Sequence, residues 1–152
     1  MKNPKVKGST FERTVATMLN ELFADPEMFW RTSASGARGA FINNDRGDIK
    51  CNKFNMNLVI ECKHWTTSNI FPPGKNYYDL LKNMYERYDF NWICIIKNRY
   101  GIFMMLPNEI EYYDNNDPGF MLAIKYENYI GKICRLDKYF LKKLINENLE
   151  SF

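Results

Sequence analysis

Apolar residues recur at steps of three and four from Ser9 to about Asp25 (Phe11, Val15, Met18, Leu19, Leu22 and Phe23). That spacing predicts an amphipathic helix. Strand-like runs follow at 28–33, 47–52 and 58–64, the last two separated by the polar stretch KFNMN and so expected to form a hairpin. Pro72-Pro73-Gly74 breaks the chain, and Tyr77, Leu81, Met84, Tyr85 and Tyr88 mark a second helix. The runs WICIIKN and GIFMMLP flank Arg99-Tyr100-Gly101 and read as another hairpin. After a turn-rich segment at 108–119, FMLAIKY and YIGKICRL suggest a strand pair near a sheet edge, and Asp137 is placed to cap a last helix ending near Leu149. The order αβββαββ predicts one α/β domain over 1–152, with a central mixed sheet flanked by helices. Residues 1–8 are expected to be a basic N-terminal arm and 108–152 a C-terminal extension of the same domain. No internal repeat, low-complexity tract or linker interrupts it.

Two charged residues sit inside a segment that should be core. In the strand LVIECKHW, Glu61 and Lys63 share a face with Val59, while Ile60 and Cys62 share the other. If 47–52 and 58–63 pair about a turn near residues 54 and 55, Asp48 lies beside Glu61. Two carboxylates that close repel unless positive charge lies between them. A divalent cation with oxygen ligands would supply it, and Lys63 would then stand ready to orient or deprotonate a water or to neutralise a phosphate. The alternative is a one-sided sheet on which Glu61 and Lys63 simply face solvent. Glu12 poses a similar choice. At about 100° per residue it falls between Val15 and Ala16, on the apolar stripe. Ser9-Thr10-Phe11-Glu12 fits a capping box, which would explain it structurally; a helix start aimed at the acidic pair would explain it functionally.

Composition narrows the classes. An apolar fraction of 45% and a charged fraction of 26% are those of an ordinary globular protein, and a net charge of +3 alone identifies no nucleic-acid partner. Placement says more, because Lys2, Lys5, Lys7 and Arg13 crowd the start and Arg31, Arg38, Arg46 and Lys50 crowd the 31–50 region. Residues 1–20 lack the uninterrupted apolar run of a signal peptide, and no stretch is long enough to span a membrane. The expected setting is cytoplasmic. Cys51, Cys62, Cys94 and Cys134 are widely spaced, so they read as reduced thiols rather than a disulfide framework or zinc site. One histidine, His64, argues against a histidine-based metal cluster or a Ser-His triad. Most of the ten Tyr, eleven Phe and three Trp follow helix or strand periodicity and are expected in the core; Trp65, ending the charged strand, stands out as a candidate for stacking on bases.

In chain order, KGSTFER, RTSASGA, GDI and VIECK resemble the archaeal-type Holliday-junction resolvases of the PD-(D/E)-x-K nuclease superfamily. The resemblance falls on Gly8, Glu12, Arg13, Arg31, Ser35, Gly36, Asp48, Glu61 and Lys63 and covers about residues 5–100. It implies a restriction-endonuclease-like fold and a homodimer that nicks four-way DNA junctions symmetrically, using Mg²⁺ or Mn²⁺. It implies metal ligation by Asp48, Glu61 and the Cys62 backbone carbonyl, with Glu12 assisting directly or through water. Ser35 would position the scissile phosphate, and Lys5, Lys7, Arg13, Arg31, Ser33, Arg38 and Arg46 would contact DNA. No small-molecule cofactor and no membrane enters this picture.

The usual Pro before the Asp is Gly47 here, the loop from Ser35 to Asp48 is long, and the Gln-x-x-x-Tyr arrangement of RecB-like exonucleases is missing from the second helix. An Asn-, Lys- and Ile-rich composition fits an AT-rich genome such as a phage, whose protein would work in the host cytoplasm. Two alternatives stay open. One is a nuclease of the same fold acting on other branched, nicked or duplex DNA. The other is a non-catalytic DNA-binding protein, against which the retained Asp48, Glu61 and Lys63 weigh.

Overall fold

The computed structural model describes residues 4–32, 46–66, 72–112 and 121–152. The fold class is the α/β one expected, a mixed β-sheet with flanking helices, consistent with a restriction-endonuclease-like fold. The chain divides into two compact units, one made of residues 1–62 and 138–152 and the other of 63–137.

The first unit opens with α1 (Pro4–Leu22). The helix begins at Pro4 and not at Ser9, so part of the expected N-terminal arm is helical. A proline at the first helical position has the right φ and sacrifices no hydrogen bond. Phe11, Val15 and Leu19 bury the apolar stripe. Asn20 fastens the helix to the next strand: its Nδ2 donates to the Phe29 carbonyl at 3.0 Å and its Oδ1 accepts from the Phe29 amide at 2.7 Å.

β1 (Phe29–Arg31) pairs antiparallel with β2 (Ile49–Cys51), aligning Phe29 with Cys51, Trp30 with Lys50 and Arg31 with Ile49. The stretch expected to be a plain turn holds a short strand, β3 (Asn55–Met56). β4 (Val59–His64) pairs antiparallel with β2, Ile49 facing Ile60. Phe29, Ile49 and Ile60 are buried together on the face that carries the Asn20 clamp.

Gly47 sets the entry to β2. Its φ is +75°, and a Cβ there would stand 2.6 Å from the Ile60 carbonyl oxygen and 2.8 Å from Val59 Cγ1. Only glycine combines that dihedral with that approach.

The second unit contains α2 (Lys75–Tyr88), β5 (Trp92–Asn98), β6 (Gly101–Pro107), β7 (Met121–Tyr126) and β8 (Tyr129–Arg135). Its strands run β5-β6-β8-β7, with antiparallel pairings that place β7 at an edge. The two hairpins are those expected; Asn98 faces Gly101 across the Arg99-Tyr100 turn. Tyr77, Leu81 and Met84 of α2 are fully buried, as are Trp92, Ile95 and Met104. Gly131 leaves room for Leu81, whose Cδ1 would lie 2.6 Å from an added Cβ.

The expected C-terminal extension is split between the units. α3 (Lys138–Glu147) buries Leu141, Leu144 and Ile145, and β9 (Leu149–Glu150) pairs with β3 in the first unit. Two-residue strands lack the length for a readable alternation, which is why β3 and β9 escaped the sequence pattern. Among the described residues no helix is long and apolar enough to cross a membrane. None of the four cysteines is in a disulfide, and burial pushes the Cys134 thiol up to about 12.

Gly47→Ala should lower folding stability by about 1–3 kcal/mol, from backbone strain and the clash with the Ile60 carbonyl. Urea unfolding with an unchanged m-value checks it; a midpoint equal to wild type would show that the turn relaxes freely.

Candidate active site

Asp48 is held by residues on both sides of Glu61. Its amide donates to the Ile60 carbonyl at 2.8 Å, and its Oδ2 accepts from the Cys62 amide at 2.8 Å. Continuing the Ile49–Ile60 register by one residue sets Asp48 across from Glu61, as the hairpin reading expected. Thr32 braces the other side, its amide donating to the Asp48 carbonyl and its hydroxyl to the Gly47 carbonyl. The main chain of Asp48 is therefore held between Thr32 and Ile60, and one oxygen of its carboxylate is fixed by the Cys62 amide. Glu61 is partly buried, with its Oε2 shielded from solvent.

Glu12 reaches this region from α1. The expected capping box does not form, because the helix starts five residues before Ser9. The Ser9 hydroxyl instead accepts from Arg31 Nη2 at 3.2 Å, while Arg31 Nε donates to Glu12 Oε2 at 3.1 Å. One guanidinium thus ties two residues of α1 to β1. Burial pushes the Glu12 carboxyl above its ordinary value of about 4.5, the nearby charge of Asp48 adds to the push, and the Arg31 hydrogen bond and charge pull back. Side-chain exposures of 18% for Glu12 and 24% for Arg31 place the pair where water screens it only in part.

The remaining candidates divide clearly. Lys63 is half-buried and lies two residues beyond Glu61 on β4, hence on the same face by strand alternation. Arg13 and Arg46 are exposed. Lys5 and Lys7 fall within α1. Ser33, Ser35 and Arg38 lie outside the described residues. Trp65 is packed edge-to-face against Tyr77, with ring centroids 5.0 Å apart, rather than displayed for stacking. Trp30, which periodicity left unremarked in a three-residue strand, is the tryptophan that is exposed, at 52%.

Among the described residues no group of three or more acidic, histidine or cysteine side chains converges tightly enough to hold a metal by itself. The physical reason is visible in the hydrogen bonds. One Asp48 oxygen is engaged by the Cys62 amide, and one Glu12 oxygen by Arg31. The donor chemistry still suits a hard divalent cation. All the donors are oxygens, and the mutual repulsion of Glu12 and Asp48 is what such a charge relieves. Mg²⁺ commonly takes one or two carboxylates and completes its shell with water and phosphate, so a preformed three-acid cage is not required.

An aspartate pinned at the end of an antiparallel hairpin, with an acid and a lysine two residues apart on the second strand, sits on a fold consistent with a restriction-endonuclease-like one. The family model described as "Phage putative PDDEXK endonuclease" matches residues 3–148, and the chain belongs to this family. No curated protein and no solved structure matches it. Nucleases of the PD-(D/E)XK class generally use divalent metal ions, and the family implies DNA as substrate.

The raised Glu12 carboxyl makes a signed prediction. Its folded form holds a proton more tightly than its unfolded form. The stability this contributes is present below about pH 4.5 and is lost as pH rises through the raised value. Glu12→Gln should remove that loss while leaving an oxygen for Arg31, so the difference in stability between variant and wild type should shift in the variant's favour across that window. Urea melts from pH 4 to 7 measure it, and parallel curves would refute the assignment.

Proposed function

We propose that the chain is a metal-dependent, structure-selective DNA endonuclease that resolves four-way junctions as a homodimer. The observation that carries the nuclease part is the fixing of Asp48 by backbone groups flanking Glu61. Asp48, Glu61 and the Cys62 carbonyl would hold a Mg²⁺ ion, for which Mn²⁺ could substitute, with Glu12 assisting directly or through water; the ion would supply positive charge beside the phosphate. Lys63 orients the water or offsets charge on the phosphate as it develops.

Ser35 positions the scissile phosphate, while Lys5, Lys7, Arg13, Ser33, Arg38 and Arg46 steady the backbone. Arg31 serves two partners in this reading: it aligns Glu12 and meets a phosphate of the DNA. Junction resolution needs two coordinated cuts, which a two-fold dimer delivers naturally. The resemblance at Glu12, Arg13, Arg31, Asp48, Glu61 and Lys63 supports the junction as substrate, and the setting is the host cytoplasm. The second reading keeps the chemistry and changes the substrate to other branched, nicked or duplex DNA. A non-catalytic DNA-binding role is disfavoured because a binding protein has no use for a pinned, charge-crowded acidic site.

Asp48→Asn and Glu61→Gln should each abolish Mg²⁺-dependent cleavage while leaving DNA binding in EDTA within a few-fold of wild type. Normal turnover by either variant would remove the metal-site assignment. Wild type should cut a four-armed junction symmetrically and bind it more tightly than linear duplex at equal salt, sedimenting as a dimer. Equal affinity for the two, by a monomer, would select the second reading.

A further inference from the structure

Thr32 directly follows β1 and is buried beside the acidic site. Two hydrogen bonds run from it to the segment that carries Asp48. Its amide donates to the Asp48 carbonyl at 2.9 Å, and its Oγ1 donates to the Gly47 carbonyl at 3.0 Å. Asp48 does not sit in a regular ladder. In a hydrogen-bonded antiparallel pair a residue turns its N–H and its C=O to the same partner. Asp48 divides them, its N–H donating to Ile60 of β4 at 2.8 Å and its C=O accepting from Thr32. The peptide unit that joins Gly47 to Asp48 is therefore clamped at both ends, its carbonyl by the Thr32 hydroxyl and its N–H by the Ile60 carbonyl. These two groups of a trans peptide point in opposite directions, so the clamp closes from the β1 side and from β4 together.

A buried threonine hydroxyl usually does no more than satisfy a nearby carbonyl. Here the carbonyl belongs to a glycine at φ +75°, and glycine gives the backbone little preference for one orientation of that peptide plane over another. Rotating the plane would withdraw the Asp48 amide from Ile60 and turn its side chain from the Cys62 amide, to which Oδ2 is bonded at 2.8 Å. We propose that Thr32 is a positioning residue for Asp48, its hydroxyl holding the Gly47–Asp48 peptide so that the carboxylate stays aimed beside Glu61. Thr32 acts through Gly47 and Asp48 and not on the DNA. The proposal rests on the nuclease reading and adds to it a residue outside the charged and serine positions named above. The threonine methyl has no part in it, so serine should serve here and valine should not.

The test compares Thr32→Val, which keeps the shape and removes the hydroxyl, with Thr32→Ser, which keeps the hydroxyl. In Mg²⁺, cleavage is measured on a four-armed junction, or on linear duplex if that is what wild type cuts. Thr32→Val should lower kcat about ten-fold or more and leave KM within about two-fold, and Thr32→Ser should recover most of the loss. Amide hydrogen exchange followed by NMR, in EDTA and without DNA, gives a readout independent of activity. The Asp48 and Cys62 amides should exchange about ten-fold faster in Thr32→Val. The Phe29 amide, held by Asn20 in the same unit, should keep its wild-type rate. The proposal is overturned if Thr32→Val keeps either the wild-type kcat or the wild-type exchange at Asp48 and Cys62. It is also overturned if all three amides quicken equally, which is general loosening, or if Thr32→Ser restores nothing. A wild type that cuts neither DNA removes the nuclease reading instead, and the exchange rates still decide whether the hydroxyl holds Asp48.

Discussion

The grip of the hairpin on Asp48 is the constraint on which the acidic site depends. An aspartate at the head of a three-residue strand has no secondary structure of its own to define its direction. Its amide and one carboxylate oxygen are instead held by the two residues flanking Glu61, and its carbonyl by Thr32. Each of these bonds links the site to the backbone rather than to another mobile side chain. An acid fixed in this way keeps its orientation when charge arrives nearby, which is the preorganisation that electrostatic catalysis relies on. The glycine before it exists to let the chain come that close.

Charge balance explains the next layer. The charge of Asp48 opposes the ionisation of Glu12, and the guanidinium of Arg31 engages Glu12. By bonding to Ser9 as well, Arg31 converts a local ion pair into a brace between helix and strand. Its contribution to stability is modest, because a partly exposed pair is screened by water. Its contribution to geometry is larger, since it decides which way Glu12 points.

Much of this was legible in the chain. The helix stripe, both hairpins and the facing of Asp48 and Glu61 follow from periodicity alone, because long apolar runs and a symmetric turn leave few registers. What was not legible had physical causes. Ser9 and Glu12 satisfy a capping-box pattern, yet Pro4 starts the helix earlier and leaves that pattern without a helix end to cap. β3 and β9 are too short to alternate, and their pairing depends on a contact almost a hundred residues away in sequence. Trp65 and Trp30 look alike as letters. The difference between a ring packed on Tyr77 and a ring open to solvent is tertiary.

The dihedral at Gly47 also bears on protein engineering. The pattern that gives the PD-(D/E)XK class its name writes proline before the aspartate, so a design that followed the pattern would put that residue here. Proline holds φ near −65°, and Gly47 needs +75°. Proline would swing the aspartate away from the Ile60 carbonyl and the Cys62 amide that hold it, disabling the site it is written to introduce. At this position a consensus design and a working enzyme part company, and only the backbone conformation reveals it.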